Sequence, residues 1–363
     1  MKKNINRIKV FDFFSGCGGT SQGLSQAGFD IVFGNDIDKD SSETFRLNFP
    51  KATFINDDIK NLSTNLLDKL IKKYTQHYIL FSGCAPCQPF SQQNKNKNIH
   101  DPRAGLLNEF SKLVQKFEPD FIVVENVPGM QKIKESKGPF FNFLRILDQK
   151  KYLYSYGVIP AIWYGVPQKR ERLVLIASKH IKIPLPPQEN DGIKKPYSTV
   201  KDWIYKFPPI NAGEKHPIIQ DHIAARLTEI NLRRIRITPE GMGRESWPDE
   251  LVLNCHKKHS GHNDVYGRLS WHKPASALTT KCTSYSNGRF GHPTQDRAIS
   301  VREAASLQTF PISYKFYGSF ISKSKQIGNA VPPKMSEAIG NIIIKSIGKY
   351  DVKKHYKIKH NFP

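Results

Sequence analysis

The fold is decided by the stretch KVFDFFSGCGGTSQG, residues 9–23. An apolar run typical of a buried strand leads into a turn that contains Gly16, Gly18 and Gly19, and a helical pattern follows. Glycines in such a turn let the chain pass tightly from strand to helix and let its backbone approach a ligand closely. The stretch therefore predicts the first strand, turn and helix of an α/β fold.

Two acidic strand ends follow this turn. Asp36 ends the second predicted strand about 20 residues after the glycines, a spacing at which a carboxylate typically holds ribose hydroxyls. Asp58 and Ile59 follow the third predicted strand and could cradle an adenine. Together they predict an adenosine-containing cofactor. From these residues alone a dinucleotide, S-adenosylmethionine and a glycine turn without a ligand all stay open.

Short apolar strands alternate with helical stretches as far as residue 178 or so. We predict helices between several strands, for example at 105–117 and 140–150. The alternation predicts a doubly wound, mostly parallel sheet. The predicted strands are 9–14, 31–35, 52–55, 78–81, 121–125, 154–159 and 172–177.

A change of composition divides the chain. Residues 184–298 are rich in Pro, Gly, His, Arg and Trp and show weak periodicity, which predicts a smaller, loop-rich domain inserted into the domain formed by residues 1–183 and 299–347. The second part of the larger domain begins with a predicted helix at 300–307. Ser300 is its expected N-cap, and Glu303 is the partner of Ser300 in a capping box. A last helix is predicted at 335–347, and the basic tail 348–363 is expected to fray.

The charge balance favours a polyanionic partner. Lys and Arg number 55 against 32 Asp and Glu, a net charge of +23. Nucleic acid is the usual partner of such a protein, although a lysine-rich chain from a genome of biased composition shows the same excess. We expect a cytoplasmic, nucleoid-associated protein without a membrane segment or signal peptide, because no apolar run approaches about 18 residues. Five cysteines, an odd number, argue against a disulfide framework.

A cysteine turn follows the fourth predicted strand, in the stretch SGCAPCQPFS, residues 82–91. Pro86 and Pro89 restrict the backbone around Cys87, and a cysteine held at the carboxyl end of a strand is suited to act as a nucleophile. Cys84-x-x-Cys87 also has the spacing of a redox pair, and buried cysteines are often only packing residues. The polar stretch 92–103 is expected to be a mobile loop that could close over a phosphate backbone, or simply a solvated connection.

Two further segments could carry chemistry. Glu125 follows an apolar strand, a position that favours a raised pKa and a proton donor, although a helix-capping glutamate fits as well. Arg170 and Arg172 alternate at the start of a strand and point to the same side, where they could donate to an oxyanion or a phosphate. A solvated edge strand is the alternative.

These segments together resemble the cytosine-C5 DNA methyltransferase family. The resemblance implies a class I S-adenosylmethionine-dependent methyltransferase fold and base flipping. It implies that Cys87 attacks C6 of cytosine, that Glu125 supports N3 and the exocyclic amine, that Arg172 donates to O2, and that Arg170 is its structural or phosphate-binding partner. The loop 92–103 is similar to the family's closing loop. The matching elements run in the family's order: residues 12–19, 86–88, 125–127, 168–172, 302–305 and 326–331.

The resemblance also assigns the cofactor, S-adenosylmethionine. Asp36 stands where the family usually has glutamate, which keeps the charge on a shorter side chain. Cys84 and Ala85 stand where glycine and an aromatic residue are common, and we expect Cys84 to be a bystander. The implied cofactor-binding residues are Phe14, Gly16, Gly19, Asp36, Ile37, Asp58, Ile59, Leu106 and Asn329.

The insert takes the place of the family's target-recognition domain. Residues 277–280 resemble the segment that supports the flipped nucleotide, and the cysteines and histidines between 255 and 282 lack a clean zinc-finger spacing, so no metal is predicted. We expect double-stranded DNA as the partner of a monomer without an obligate protein partner. The tRNA-methylating branch of the family is the alternative, but it lacks a large insert. The basic groups offered to phosphates and guanine edges are Arg233, Arg234, Arg236, Lys257, Lys258, His259 and Arg289.

Overall fold

The structure is a computed structural model that describes residues 4–85, 105–130, 138–257 and 264–360. The chain forms two compact units. Unit 1 consists of Met1–Pro160, Glu171–Pro187 and Pro333–Pro363, and unit 2 consists of Ala161–Arg170 and Gln188–Pro332. These units are defined by packing, whereas the predicted division at 183/184 and 298/299 concerns function and stays a prediction.

Unit 1 is built on a seven-stranded, mostly parallel sheet, which confirms the predicted fold class. Its strand order is β3-β2-β1-β4-β5-β8-β6. The first five strands in the chain run parallel, and β8 runs antiparallel to both β5 and β6. The strands are β1 (Asn4–Phe13), β2 (Asp30–Asp36), β3 (Thr53–Asn56), β4 (His77–Gly83), β5 (Phe121–Asn126), β6 (Leu153–Pro160) and β8 (Glu171–Ser178).

Helices connect these strands and enclose an aromatic core. Phe13 lies edge-on to Phe81 and Phe110, with ring centroids 5.0 and 5.6 Å apart. Burying a phenylalanine stabilises the fold by about 1.5–3 kcal/mol, so these rings lock the central strands together. The helices are α1 (Gly19–Gln26), α2 (Lys39–Asn48), α3 (Thr64–Lys72), α4 (Leu106–Phe117), α5 (Pro139–Gln149) and α11 (Pro333–His360).

The last helix, α11, packs against the first helix, α1. A Cβ on Gly23 of α1 would come within 2.1 Å of the carbonyl oxygen of Pro333, and one on Gly340 of α11 within 2.5 Å of Ala27. The two helices therefore pack at a distance that only glycine permits at these positions. α11 continues to His360, beyond the predicted helix end at residue 347, and the fraying of the tail stays a prediction. Its many lysines are good helix formers, which accounts for the difference.

Unit 2 has little regular structure. It contains β7 (Gln168–Lys169), which pairs with β9 (Ala275–Ser276), and five short helices. The predicted helix near residue 300 is present, and Ser300 and Glu303 form the expected capping box. These helices are α6 (Val200–Ile204), α7 (Glu229–Ile237), α8 (Asn254–Lys257), α9 (Val301–Leu307) and α10 (Phe320–Asn329).

In unit 2, buried arginine side chains donate to loop carbonyl oxygens that are not part of a helix or sheet. Arg268 is buried and donates to the carbonyl oxygens of Thr238, His292 and Ile235 at 2.7–2.8 Å. Arg234 is also buried and donates to Leu251. Loops can be buried only if their carbonyl groups find donors, and these guanidinium groups supply them. No helix among the described residues is long and apolar enough to cross a membrane.

Candidate active site

The glycine turn after β1 has the conformation that its sequence predicts. Gly16 and Gly18 have φ angles of +53° and +87°, and Phe14 also lies in the left-handed region at +54°. Gly18 N donates to Ser15 O at 2.9 Å and closes the turn ahead of α1, which begins at Gly19. A Cβ built on Gly16 would meet nothing within 4 Å. The turn therefore has open space beside its backbone, as a site for a bound cofactor requires.

Asp36 at the end of β2 faces this turn. Its Oδ2 accepts a hydrogen bond from Gly16 N and its Oδ1 one from Asp38 N, both at 2.8 Å. These two amides hold the carboxylate in one orientation beside the turn. Ile37 follows with 69% of its surface exposed, which leaves an apolar face beside the acid. This pairing suits a ribose and the adenine attached to it.

The end of β3 is tied to β2 by amide side chains. Asn35 donates to the carbonyl oxygens of Ile55 and Asp57, and Asn56 donates to Asp36 O. Asp58 caps the short helical turn Ile59–Asn61 by accepting from Lys60 N at 3.0 Å. The side chain of Ile59 is buried in the core of unit 1. Of the two predicted adenine-binding residues, Asp58 is thus a polar capping residue and Ile59 is packed in the core.

Asp12 is a buried carboxyl group directly before the glycine turn. Its Oδ2 accepts from Ser21 Oγ at 2.6 Å. Burial raises its pKa to about 7, because the surroundings disfavour the charge more than the hydroxyl groups stabilise it. Burial also raises the pKa of the Cys17 thiol to about 12, so Cys17 is an inert packing residue.

The ends of β4 and β5 are joined by two side-chain contacts. Cys84 Sγ donates to Glu125 Oε2 at 2.8 Å, and Asn126 Nδ2 donates to Ala85 O at 3.1 Å. Cys84, which was expected to be a bystander, is therefore in direct contact with Glu125. Cys87 and the loop 92–103 lie outside the described residues. The described chain nevertheless reaches Ala85, so the segment that leads to Cys87 is anchored on β5.

Glu125 forms an ion pair with Arg172. Arg172 Nε lies 2.6 Å from Glu125 Oε1, and the two side chains are 15% and 6% exposed. The pairing follows from the topology: β8 is antiparallel to β5, so the amino end of β8 meets the carboxyl end of β5. The family resemblance implied that both residues act on the same base, and the structure brings their side chains into contact.

Arg170 lies in unit 2, two residues before Arg172. It is buried, and it donates to Leu278 O at 2.9 Å and to Gly328 O at 3.2 Å. A Cβ on Gly328 would come within 2.0 Å of Thr279 O, so these backbone segments are in close contact. Arg170 thus joins the 277–280 segment to the end of α10, which carries the predicted cofactor residue Asn329.

Gln168 supports the same junction. Its side chain contacts Gln308, donates to Leu307 O at 3.1 Å and accepts from Leu278 N at 3.1 Å. Gln308 in turn donates to Ile327 O. Sequence reasoning assigned no role to Gln168, Gln308 or Asn126. Their position beside arginine and glutamate motifs is the signal that could have identified them.

The other predicted residues are dispersed. Leu106, the first residue of α4, is half-buried against the core of unit 1, and Asn329 is exposed at the end of α10 in unit 2. Cys255 is exposed and Cys282 is buried, whereas His259 and His262 lie outside the described residues. Among the residues that the structure describes, no group of three or more His, Cys, Asp or Glu could hold a metal ion.

A small cavity lies in unit 2. Its volume is about 370 Å³, and Arg244, Glu245, Val252 and Arg289 line it. Arg289 is held by Asp264 and by Gly241 O. Of the basic residues singled out in the sequence, Arg289 therefore lines a concave surface, while Arg234 is part of the core and Arg233 and Arg236 are exposed.

The arrangement agrees with what comparison with known proteins finds. The C-5 cytosine-specific DNA methylase family matches residues 8–345. The chain belongs to this family, and its fold is that of the class I methyltransferases.

Several similar proteins are bacterial Type II methyltransferases. The Type II methylase M.HgiDII of Herpetosiphon aurantiacus is 43% identical over 349 residues, which cover 94% of this chain and 95% of the relative. The Type II methyltransferase M1.HphI of Haemophilus parahaemolyticus is 32% identical, with 93% and 87% covered. A solved Escherichia coli structure, described as a prophage-encoded DNA modification methyltransferase, has a TM-score of 0.72 at 24% identity and covers 94% of this chain and 99% of its own. At this identity, the likeness to the Escherichia coli structure shows a shared fold only.

Proposed function

We propose that this protein transfers a methyl group from S-adenosylmethionine to C5 of a flipped cytosine in a specific duplex DNA sequence. The observation that carries the proposal is the Glu125–Arg172 pair, which lies at the sheet edge where β4 ends, shortly before Cys87 in the sequence. Membership of the family supports the choice of cytosine C5. The name of the family and that of a relative such as DNA (cytosine-5)-methyltransferase 3 of Arabidopsis thaliana support DNA rather than tRNA as the substrate.

The glycine turn and Asp36 would hold the cofactor. The open space beside Gly16 would admit its methionine end, the Asp36 carboxylate would accept from ribose hydroxyls, and Ile37 would cover one adenine face. Asp58 would lie at the adenine edge, and the family resemblance alone assigns Asn329 to cofactor binding. When bound, S-adenosylmethionine supplies an electrophilic methyl group to the base.

The protein's own groups would make cytosine C5 nucleophilic. The Cys87 thiolate adds to C6, and the electron pair displaced from the C5–C6 bond is shared between C5 and the N3–O2 side of the ring. Glu125, once protonated, donates to N3 and accepts from the exocyclic amine, and Arg172 donates to O2, so the negative charge that develops on this side of the ring is stabilised. After C5 has accepted the methyl group, its proton leaves and the thiol is eliminated. Both residues can act only on a base outside the stack, which is why flipping is required.

Unit 2 would supply recognition. Arg289 beside the cavity is suited to a base edge or phosphate, and Arg170 would keep the 277–280 segment in place for the flipped nucleotide. The net charge of +23 favours a duplex that carries closely spaced phosphates. We place the reaction in the cytoplasm on the host chromosome, where a monomer would protect sites against a cognate restriction enzyme.

The first test measures the reaction and its nucleophile. Purified protein is incubated with labelled S-adenosylmethionine and either duplex DNA or tRNA, and the methylated position is read by sequencing for 5-methylcytosine. We expect label in DNA, none in tRNA, and none in either with Cys87→Ala. Cofactor binding by Cys87→Ala should be unchanged. Full activity of Cys87→Ala would overturn the mechanism, and label in tRNA alone would overturn the substrate.

A second test uses the base. Duplex DNA with 5-fluorocytosine at the target position should form a covalent adduct, because fluorine cannot leave as the C5 proton does. The adduct should withstand denaturing electrophoresis and be missing with Cys87→Ala. A wild-type protein that methylates cytosine but forms no adduct would show that the reaction does not pass through a thiol.

A further inference from the structure

We propose that Cys84 is a positioning residue for Glu125, which its thiol holds in place until the cytosine binds. The inference rests on the proposed function, since it assigns Cys84 a role in the same reaction. Cys84 does not itself touch the base in this proposal. It acts through the glutamate that does.

The geometry singles out Cys84. Its Sγ lies 2.8 Å from Glu125 Oε2, and Arg172 Nε lies 2.6 Å from the other carboxylate oxygen. The carboxylate is therefore held from both sides, by a neutral donor from β4 and a cation from β8. Glu125 itself is 5% exposed, so water has little access to replace either partner.

The backbone at the end of β4 fixes the thiol. Cys84 N donates to Phe13 O at 3.4 Å, and the carbonyl oxygen of Ala85 accepts from Asn126. The backbone before and after the Cys84 side chain is thus hydrogen-bonded to residues of β1 and β5. Because the backbone is restricted, the thiol has few other conformations, and the entropic cost of its contact with Glu125 is lower.

A thiol suits this task because it is a weak donor. It compensates one oxygen of a buried carboxylate while no base is present, and a strong donor such as the amino group of cytosine can displace it. When the base enters, Glu125 exchanges the S–H donor for an N–H of the exocyclic amino group, and Arg172 keeps the carboxylate in orientation. The free enzyme then needs no large movement of Glu125 to receive its substrate.

The test is a double-mutant cycle of Cys84→Ala and Glu125→Gln, with initial rates of methyl transfer to duplex DNA. We expect Cys84→Ala to lower kcat/KM for DNA about 10-fold, mainly through a higher KM, because the contact with Glu125 is made before the base binds. Cofactor binding and kcat at saturating DNA should change less than about twofold. In the Glu125→Gln background, Cys84→Ala should cost nothing further, because the partner through which Cys84 acts is already changed. Equal costs in both backgrounds would overturn the proposal.

Two variants serve as controls. Cys84→Ser keeps a donor at the same position and should restore most of the rate, whereas Cys255→Ala removes an exposed thiol elsewhere and should leave the rate unchanged. A Cys84→Ser variant as slow as Cys84→Ala would overturn the proposal.

A spectroscopic measurement covers the case in which Cys84→Ala does not fold. The infrared S–H stretch of Cys84, obtained as the difference between wild type and Cys84→Ser, should shift when Glu125→Gln removes the charged acceptor. An unshifted band would overturn the proposal. A wild-type protein without methyl transfer to any DNA would instead refute the proposed function, so the two failures are distinguishable.

Discussion

Two glutamate–arginine pairs of this protein look alike in distance but differ in how completely the chain satisfies them. In unit 2, Arg297 donates to both oxygens of Glu303 at 2.7 and 2.8 Å, and both side chains are 0% exposed. Ser300 N adds a third hydrogen bond to the same carboxylate. In unit 1, Glu125 and Arg172 meet at the rim of the sheet, where Oε1 of the glutamate receives no hydrogen bond of normal geometry from the described residues.

The difference separates a structural pair from one with capacity left for a substrate. Burial alone would raise the pKa of Glu303, but the hydrogen bonds from Arg297 outweigh it and hold that pKa below its usual value. The Glu303 carboxylate is thus a permanent anion inside unit 2. Glu125 is held by one cation and one thiol, and a ligand can still replace the thiol. The structural pair is therefore recognised by the number of hydrogen bonds that the protein makes to its carboxylate, and not by the distance between the two side chains.

The strongest test of this contrast replaces Glu125. Glu125→Ala should lower kcat about 10²- to 10⁴-fold, the usual contribution of a positioned acid or base, because no group then supports N3 of the base. The measurement is labelled methyl transfer, together with urea unfolding. Stability should change little compared with the loss of activity. A variant that loses its fold in proportion to its activity would place Glu125 in the same class as Glu303.

The converse test breaks the saturated pair. Arg297→Met leaves a buried carboxylate without its cation and should destabilise unit 2 by about 3–5 kcal/mol. Tryptophan fluorescence during urea unfolding measures this directly, because all four tryptophans (Trp163, Trp203, Trp247 and Trp271) belong to unit 2. Arg172→Met in unit 1 is the matched control and should leave that fluorescence transition in place. Equal effects of the two variants would remove the distinction between the pairs.

A third prediction concerns the histidine beside the saturated pair. Burial lowers the pKa of His292 to about 3, although Glu303 opposes the shift. The unfolded chain therefore takes up a proton near pH 6.5 that the folded state refuses, and stability is lost as the pH falls below that value. At pH 5 the loss should be about 2 kcal/mol. His292→Asn should flatten this acid dependence of the tryptophan transition, and an unchanged slope would contradict it.

The smallest effect is expected at Asp12, with the opposite sign. Its pKa of about 7 in the folded state lies above the ordinary value of 3.8, so the folded protein holds a proton that the unfolded chain releases. Its contribution to stability is complete below about pH 3.8 and is lost as the pH rises through 7. Between pH 6 and 8 the loss should be about 1 kcal/mol.

Asp12→Asn imitates the protonated form and provides the comparison for this prediction. The difference between wild type and variant in the urea midpoint, followed by far-UV circular dichroism, should change from pH 6 to pH 8. Other titrating groups are common to both proteins and cancel in that difference. A constant difference over this range would show that Asp12 is ionised throughout.

Most of unit 1 could be predicted from the sequence, because buried strands and a glycine turn leave a strong local pattern. All seven predicted strands are present, with small differences at their ends. The reversed direction of β8 could not be predicted, since a buried strand has the same apolar composition in either direction. The contact between Cys84 and Glu125 depends on the alignment of β4 with β5, 41 residues apart, and no local pattern encodes it.

Unit 2 was largely beyond such prediction for a different reason. Its interior depends on guanidinium groups such as those of Arg268 and Arg234, which donate to loop carbonyls. In the sequence these arginines cannot be distinguished from surface arginines that would contact DNA. Charge therefore indicated the kind of partner, but it did not show which basic residues are available to it.

The chain crosses from unit 2 to unit 1 between Arg170 and Glu171, and this has a consequence for engineering. A chimaera that exchanges only 188–332 with that of a relative would separate Gln168 and Arg170 from the carbonyl groups and the Gln308 side chain to which they bind. The ten residues 161–170 have to travel with the exchanged part, so a working transplant needs four splice points rather than two. Unit 2 of this protein is thus encoded by two separate pieces of the gene.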